Sequence, residues 1–330
     1  MSHRVWTGVV CFCAAAVIAL LVPSGASAVT LRVNCNAGEK ISGAIATLTA
    51  LGPLGTAGPN KVLVSGTCHE NVTINGMANL TLEGTPSATI NGNANGNGVA
   101  LWVTESQDIT VNNFTINGFG VYCAASSCLM NNDTVQNSGG NGVAVGVSAS
   151  MILNTSTVQN NAGAGVAIRV GGNVVLAGST VQGNAGGGVT LQAGGILTVT
   201  LQSQGFNITG PAATMIQNNG QDGILADVNS TLRIELGANI TGNARDGIRL
   251  EGGSKAILSN VTLSGNTGHG LRIGDLSFAE FAGQNTISGN NLGTGTPLDV
   301  VCDPQYSATR GIGTLSGTAT NCPAEPPMNP

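Results

Sequence analysis

The chain has 330 residues, of which 8% are charged and 3% aromatic, with 50 glycines and a formal charge of −5. A composition this acidic and this poor in charge offers no basic patch for nucleic acid or for an anionic membrane surface. Its wealth of Gly, Asn, Ser and Thr suits a chain that turns every few residues.

At the start, Arg4 precedes a 14-residue apolar run from Val9 to Val22, and Ala26-Ser27-Ala28 follows. A charged head, a short apolar run and a small-residue cleavage site predict a secretory signal peptide over residues 1–28, removed from an exported, extracellular or periplasmic product. The run is too short to span a bilayer, so no membrane span is expected after cleavage. Without Arg4, ten Lys and Arg face sixteen Asp and Glu.

Residues 29–96 read as an N-terminal cap and the first strands. A strand pattern over Thr30–Cys35 is followed by Ile41, Ala44, Ile45 and Leu48 at helical spacing, which predicts a short helix closing the open end of a repetitive core. Strands are then expected at Lys61–Ser65, Asn71–Ile74, Asn79–Leu82 and Ala88–Ile90.

Over residues 97–301 one phrase recurs: a glycine, then alternating apolar residues, then a turn. The glycines are Gly98, Gly120, Gly142, Gly165, Gly188, Gly223, Gly247 and Gly270, separated by 22, 22, 23, 23, 35, 24 and 23 residues. Directly after them stand Val99, Val121, Val143, Val166, Val189, Ile224, Ile248 and Leu271, and two positions further on Leu101, Cys123, Val145, Ile168, Leu191, Ala226, Leu250 and Ile273. Such period-2 alternation puts both columns on the inner face of a strand. Seven before the glycine runs a further apolar column, from Val135 to Leu263 with Ile287 continuing it, and four before it an asparagine column of Asn161, Asn184, Asn219, Asn243 and Asn266, continued by Asn290. A repeat of this length without helical periodicity predicts an all-β solenoid, a parallel β-helix with rungs of about 22–24 residues stacked at roughly 4.8 Å. The asparagines are expected to hydrogen-bond up the stack, and Gly and Asn to supply left-handed corners.

The 35-residue step is the break in rhythm. Because Met215-Ile216-Gln217 matches Thr157-Val158-Gln159, the extra residues fall near 202–213 and predict an inserted loop. Residues 302–330 read as a C-terminal cap and a Pro-rich tail. The nine Asn-x-Ser/Thr sites follow from turn asparagines preceding β-branched strands. Six cysteines remain after signal cleavage, and an even count in an exported chain argues for disulfides. Their clustering suggests Cys35 with Cys68, Cys302 with Cys322, and Cys123 with Cys128, unless Cys123 is a core thiol in its inward column.

From Thr30 to Cys322 the repeats and cap resemble the pectate lyase and pectin lyase superfamily of right-handed parallel β-helices. This fold hosts lyases, hydrolases, epimerases, adhesins and inert surface proteins. A local resemblance is to polygalacturonases, inverting glycoside hydrolases with Asn-Thr-Asp, Asp-Asp and Gly-His-Gly motifs ahead of successive core strands. Here Gln221-Asp222-Gly223, Arg245-Asp246-Gly247 and Gly268-His269-Gly270 occur on consecutive rungs in that order. The resemblance implies Asp222, Asp246 and His269 as catalytic residues. Gly220-Gln221 stands in place of Asn-Thr, Arg245 in place of the proton-donating Asp, and no Arg-Ile-Lys follows. Two carboxyls for inverting hydrolysis sit about 6.5–9.5 Å apart around a water. Backbones of adjacent rungs are only about 5 Å apart. Corner positions before glycine also suit Asp, Asn and His for structural reasons.

Lyase chemistry would call for Ca²⁺, with Asp227, Glu251 and Asp275 as the nearby acids, but alternation with Arg249 and Arg272 reads as a cross-rung ion-pair network, and no cofactor is expected. Trp102 and Tyr122 are expected to point outward on adjacent rungs as a sugar-stacking platform, with Arg249 and Arg272 as further binding residues. The reading is therefore a monomeric, non-catalytic exported β-helix, a surface, adhesive or glycan-contacting scaffold whose partner would be a polysaccharide or cell-surface glycan. The alternative is a polysaccharide hydrolase or lyase acting through Asp222, Asp246 and His269.

Overall fold

The computed structural model describes residues 28–93, 98–200, 213–291, 298–303, 308–310 and 318–323. The predicted signal peptide except Ala28, the expected insertion except Ala213, the sequon at Asn207 and the tail from Ala324 lie outside the described residues. The strands form two parallel sheets, one of 19 strands and one of ten. Each rung contributes one strand to the ten-stranded sheet and its remaining strands to the other, so the chain coils as a parallel β-helix. Among the described residues no helix is long and apolar enough to cross a membrane.

The inner columns run as the alternation predicts. Val121 pairs with Val143, Val143 with Val166, and the line continues through Val189, Ile224, Ile248 and Leu271 to Val300, every member buried. Opposite them Val135, Val158, Val181, Ile216, Ile240, Leu263 and Ile287 are buried in register in the larger sheet. Each such side chain contributes about 1.5–3 kcal/mol by leaving water, and only stacking makes that burial available. At the insertion, Ile196–Thr200 pairs with the preceding rung and Val181 with Ile216, so the extra residues fall between these strands without disturbing register.

The first glycine departs from the expected column. Leu101, not Val99, pairs with Val121, and Ala100 occupies the place that glycine holds in later rungs. The step there is two residues shorter than the glycine spacing suggested, and Trp102 pairs directly with Tyr122.

The asparagine column is a continuous internal ladder. The amide Nδ2 of Asn161 donates to Oδ1 of Asn184 at 2.9 Å, and the same bond repeats through Asn219, Asn243 and Asn266 to Asn290. Each Oδ1 also accepts the backbone N–H of the preceding ladder residue, and each Nδ2 from Asn184 onward reaches a strand carbonyl, as Asn219 does with Val181 at 3.3 Å. Asp299 caps the ladder, its Oδ1 accepting both nitrogens of Asn290.

This ladder explains the recurring glycine. A Cβ at Gly188 would lie 2.8 Å from Nδ2 of Asn219, and one at Gly165 2.6 Å from Nδ2 of Asn184. The phrase therefore repeats because the next rung's amide occupies the space of a side chain. The left-handed corner is elsewhere, at the residue before each ladder asparagine: Asn160, Gly183, Asn218, Gly242, Gly265 and Gly289 all have positive φ. Gly and Asn thus supply the left-handed corners as expected, and among the phrase glycines Gly98 and Gly120 also have positive φ.

At the N-terminal end, strand Val29–Asn34 leads to helix α1 (Ile41–Ala50), which packs Ile41, Ile45 and Leu48 over the open core. Buried Glu70 accepts the N–H groups of Ile41 at 2.7 Å and Ser42 at 3.1 Å, capping two otherwise orphaned donors. Disulfides join Cys35 to Cys68, Cys123 to Cys128 and Cys302 to Cys322. Cys123 is thus both an inward core residue and bridged: it lies in the ten-stranded sheet beside Val145, while Cys128 lies in the larger sheet beside Met151. The bond crosses the interior of one rung.

Asp133 stands at the head of a buried serine ladder. Its Oδ1 accepts Phe114 N–H at 2.7 Å and its Oδ2 Asn131 N–H at 3.0 Å, while its own N–H donates to Ser156, whose N–H in turn donates to Ser179. Burial pushes this carboxyl well above the usual carboxylate range, against the two N–H donors that lower it. A raised folded value means the fold holds its proton more tightly than the unfolded chain does, so stability falls as pH climbs from the ordinary carboxylate range through the raised value. Asp133→Ser, which continues the serine ladder, is expected to remove that loss. Thermal melts from acid to neutral pH should show the variant gaining on the parent as pH rises, and a pH-independent difference would rule Asp133 out as the source.

Candidate functional site

The residue before each glycine forms a corner column leading into the ten-stranded sheet, and this column holds Asp222, Asp246 and His269 in consecutive rungs. Their placement follows from the rung repeat, since Ile224, Ile248 and Leu271 pair in register two residues later. Both carboxyls turn in rather than out. Asp222 is 3% exposed and Asp246 6%.

Each carboxylate is engaged by the backbone of the next rung. Asp246 N–H donates to Asp222 Oδ1 at 3.0 Å, and His269 N–H to Asp246 Oδ1 at 2.7 Å. Asn141 does the same lower in the column, accepting Ala164 N–H at 3.0 Å. The His269 ring is fixed by Nδ1, which donates to the Leu298 carbonyl at 2.7 Å. Even the glycine of Gly-His-Gly has a packing reason, because a Cβ at Gly268 would sit 2.4 Å from Asp246 Oδ1. Burial raises the Asp222 carboxyl above its ordinary range; the Asp246 N–H opposes the rise, the Asp246 charge adds to it, and Arg249 and Arg245 oppose it. The three residues are stacked in one column, and the two carboxylates act as acceptors that close the corner.

The outward face of the ten-stranded sheet is different. One row runs Trp102, Tyr122, Ala144, Ala167, Thr190, Leu225, Arg249, Arg272 in direct strand register. All four binding candidates thus share a single row. Trp102 and Tyr122 meet edge to face, with ring centroids 5.2 Å apart and planes at 71°. Five strand steps separate Tyr122 from Arg249, a span of roughly 24 Å. Small side chains occupy the interval up to Thr190. Leu225, which completes the row, was not among the sequence candidates because an isolated outward leucine has no signature in a strand of alternating apolar residues.

At the arginine end, Arg249 donates through Nε to Glu251 Oε1 at 2.7 Å and makes a second contact with the same oxygen through its terminal nitrogen. Arg272 lies 3.8 Å from Asp303, and its Nε is buried without a hydrogen-bond partner. Asp227 accepts its own neighbour's N–H, from Val228, at 2.8 Å. Glu251 is thus paired within its own strand and Asp227 with backbone, in place of the cross-rung ion-pair network that the alternation with arginines suggested, and with Asp275 they form no cluster of metal-ligating groups among the described residues. The group of three candidate ligands that does occur, Cys35, Cys68 and Glu70, consists of a disulfide and the acid that caps α1.

The family model described as a right-handed β-helix region matches residues 60–203 and 205–309. The chain belongs to the right-handed β-helix family. No curated protein matches the sequence. Among solved structures, the A-module of an Azotobacter vinelandii mannuronan C-5 epimerase is similar at 11% identity and a TM-score of 0.51, covering 82% of this chain and 80% of its own. A periplasmic alginate epimerase is similar at 13% identity and a TM-score of 0.51, covering 82% and 78%. A pectate lyase follows at 13% identity and a TM-score of 0.45, covering 91% and 78%. At these identities the likeness concerns the fold alone, a right-handed parallel β-helix.

Proposed function

We propose that this is an exported, non-catalytic β-helix that contacts polysaccharide through the outward face of its ten-stranded sheet. One observation carries the reading: an aromatic pair, a small-residue track and two arginines lie in a single straight row, while both candidate catalytic carboxylates are buried as backbone acceptors. Aromatic faces stack on the apolar faces of sugar rings, and arginines match carboxylates in a planar, bidentate manner. The ligand class is therefore an extended glycan, and an acidic one makes fuller use of the arginine end. Three disulfides support an oxidising compartment, in line with the apolar leader. Two structural neighbours, named as a mannuronan epimerase and an alginate epimerase, lend support to an acidic glycan as the ligand.

The test is to incubate the purified mature protein with uronate and neutral polysaccharides. Reducing ends report hydrolysis, ultraviolet absorbance reports unsaturated lyase products, and solvent deuterium entering the sugar reports epimerisation. Binding without turnover is expected. Trp102→Ala should weaken it about 3- to 10-fold, the equivalent of the roughly 0.5–1.5 kcal/mol that aromatic contacts contribute. Arg249→Ala should weaken binding of uronates more than of neutral chains, in a salt-sensitive way. Turnover lost in Asp246→Asn but kept in the exposed control Asp108→Asn would establish the enzyme reading instead.

A further inference from the structure

The corner that leaves the ten-stranded sheet carries an unusual feature. In six successive rungs two adjacent residues both have positive φ, which is the type I′ turn. The first residues of these turns are Val147, Val170, Ala193, Val228, Gly252 and Asp275, stacked by backbone hydrogen bonds from rung to rung. Gly, Asn and Asp suit this position, whereas a β-branched residue there is a genuine outlier. Yet valine occupies three of the six, at φ of 50°, 46° and 53°. These valines are also 55%, 59% and 49% exposed, and Leu276, in the second turn position of the last rung, is 69% exposed. A strained conformation combined with an exposed apolar side chain lowers both stability and solubility, so the column points to a contact made outside the chain.

The pattern along the corner identifies the partner. Large and small residues are arranged so that a second copy, laid antiparallel about a two-fold axis between the third and fourth turns, sets three of the four large residues against small ones and the fourth, Val147, against Asp275. Val228 meets Ala193, Val170 meets Gly252, and Leu276 meets Ser148. The column one residue earlier is complementary in charge under the same operation, since Arg169 comes opposite Glu251. Arg169 is exposed and has no ion pair among the described residues. Glu251 is held by Arg249 through Oε1 alone, leaving Oε2 for a second arginine. Every contact is then made twice, as an isologous interface requires, and the assembly closes at two subunits.

We propose that this valine-bearing corner is the interface of an antiparallel homodimer, in place of the monomer expected from sequence. The test is sedimentation of the purified mature chain over a range of concentrations. The parent is expected to show a reversible monomer–dimer equilibrium. The double variant Val170→Asn with Val228→Asn removes the apolar contacts while placing a residue suited to positive φ at both turns. It should be monomeric with a melting temperature equal to or above that of the parent monomer. Arg169→Glu should weaken dimerisation at least tenfold, and adding Glu251→Arg should restore it by reversing the charges across the axis. A parent that sediments as a monomer at every concentration, or a double asparagine variant that dimerises as tightly as the parent, overturns the proposal. Failure of the charge reversal to restore association overturns the antiparallel register.

Discussion

Ile248→Asp is expected to cost about 4 kcal/mol or more, enough to remove most of the stability of an ordinary domain. Ile248 is fully buried between Ile224 and Leu271 in the inner column of the ten-stranded sheet. Substitution forfeits about 2–3 kcal/mol of apolar burial and also places a carboxyl among aliphatic side chains with no partner, where it must take up a proton or remain charged at greater cost. A solenoid amplifies the damage, because each rung is stabilised only by its neighbours and a broken rung separates the stack into two shorter ones. Thr231→Asp, on an exposed strand position, should stay within about 0.5 kcal/mol of the parent. Denaturant melts of the two variants decide the matter, and equal midpoints for Ile248→Asp and the parent would refute the inward assignment.

The fold was legible because two periodicities coincide. Alternation assigns each residue to a face, and the rung repeat brings like faces into columns, so the inner line from Val121 to Leu271 could be read from sequence, and the structure extends it to Val300. The register failed at Gly98 for a physical reason. Glycine served as the anchor of the repeat, but what the corner demands is a small side chain, and Ala100 meets the demand in the first regular rung. The reason for the glycines from Gly142 onward was also hidden, because it lies in the approach of an asparagine amide and a backbone carbonyl from the following rung, whereas Gly98 and Gly120 have positive φ. Local sequence reports turn propensity; it does not report what the neighbouring rung places against the turn.

The candidate site was only half legible for related reasons. That Trp102, Tyr122, Arg249 and Arg272 are outward followed from alternation, and that they share one row followed once the register was known. The inward turn of Asp222 and Asp246 did not follow, because a polar residue before a glycine reads as an exposed corner. The structure shows the backbone N–H of the next rung as the partner that draws each carboxylate in, a bond that spans 24 residues for Asp222 and 23 for Asp246. The resemblance to hydrolase motifs thus rests on residue types that this corner also uses for closure.

Asn219→Leu should be as damaging as a core charge, although the two side chains are similar in size. Asn219 Oδ1 accepts both the backbone N–H and the Nδ2 of Asn184, at 3.1 and 3.0 Å, while its Nδ2 donates to Val181 O and Asn243 Oδ1. Leucine leaves the Asn184 donors and the Val181 carbonyl short of partners in a site that is 1% exposed at Asn219 and at Asn184. At about 1–3 kcal/mol for each orphaned buried group, the expected loss is about 3–6 kcal/mol after local relaxation. The adjacent Asn218 provides the control, since it is exposed with a φ of 55° and makes the left-handed corner instead of the ladder. Asn218→Gly preserves that corner and should change stability by no more than about 0.5 kcal/mol. Hydrogen exchange adds a spatial readout: the ladder amide of Asn184, whose acceptor is Asn219 Oδ1, should lose protection in Asn219→Leu and keep it in Asn218→Gly. Retained protection together with an unchanged melt in Asn219→Leu would show that stacked aliphatic columns alone hold the rungs, and that the asparagine ladder is incidental to stability.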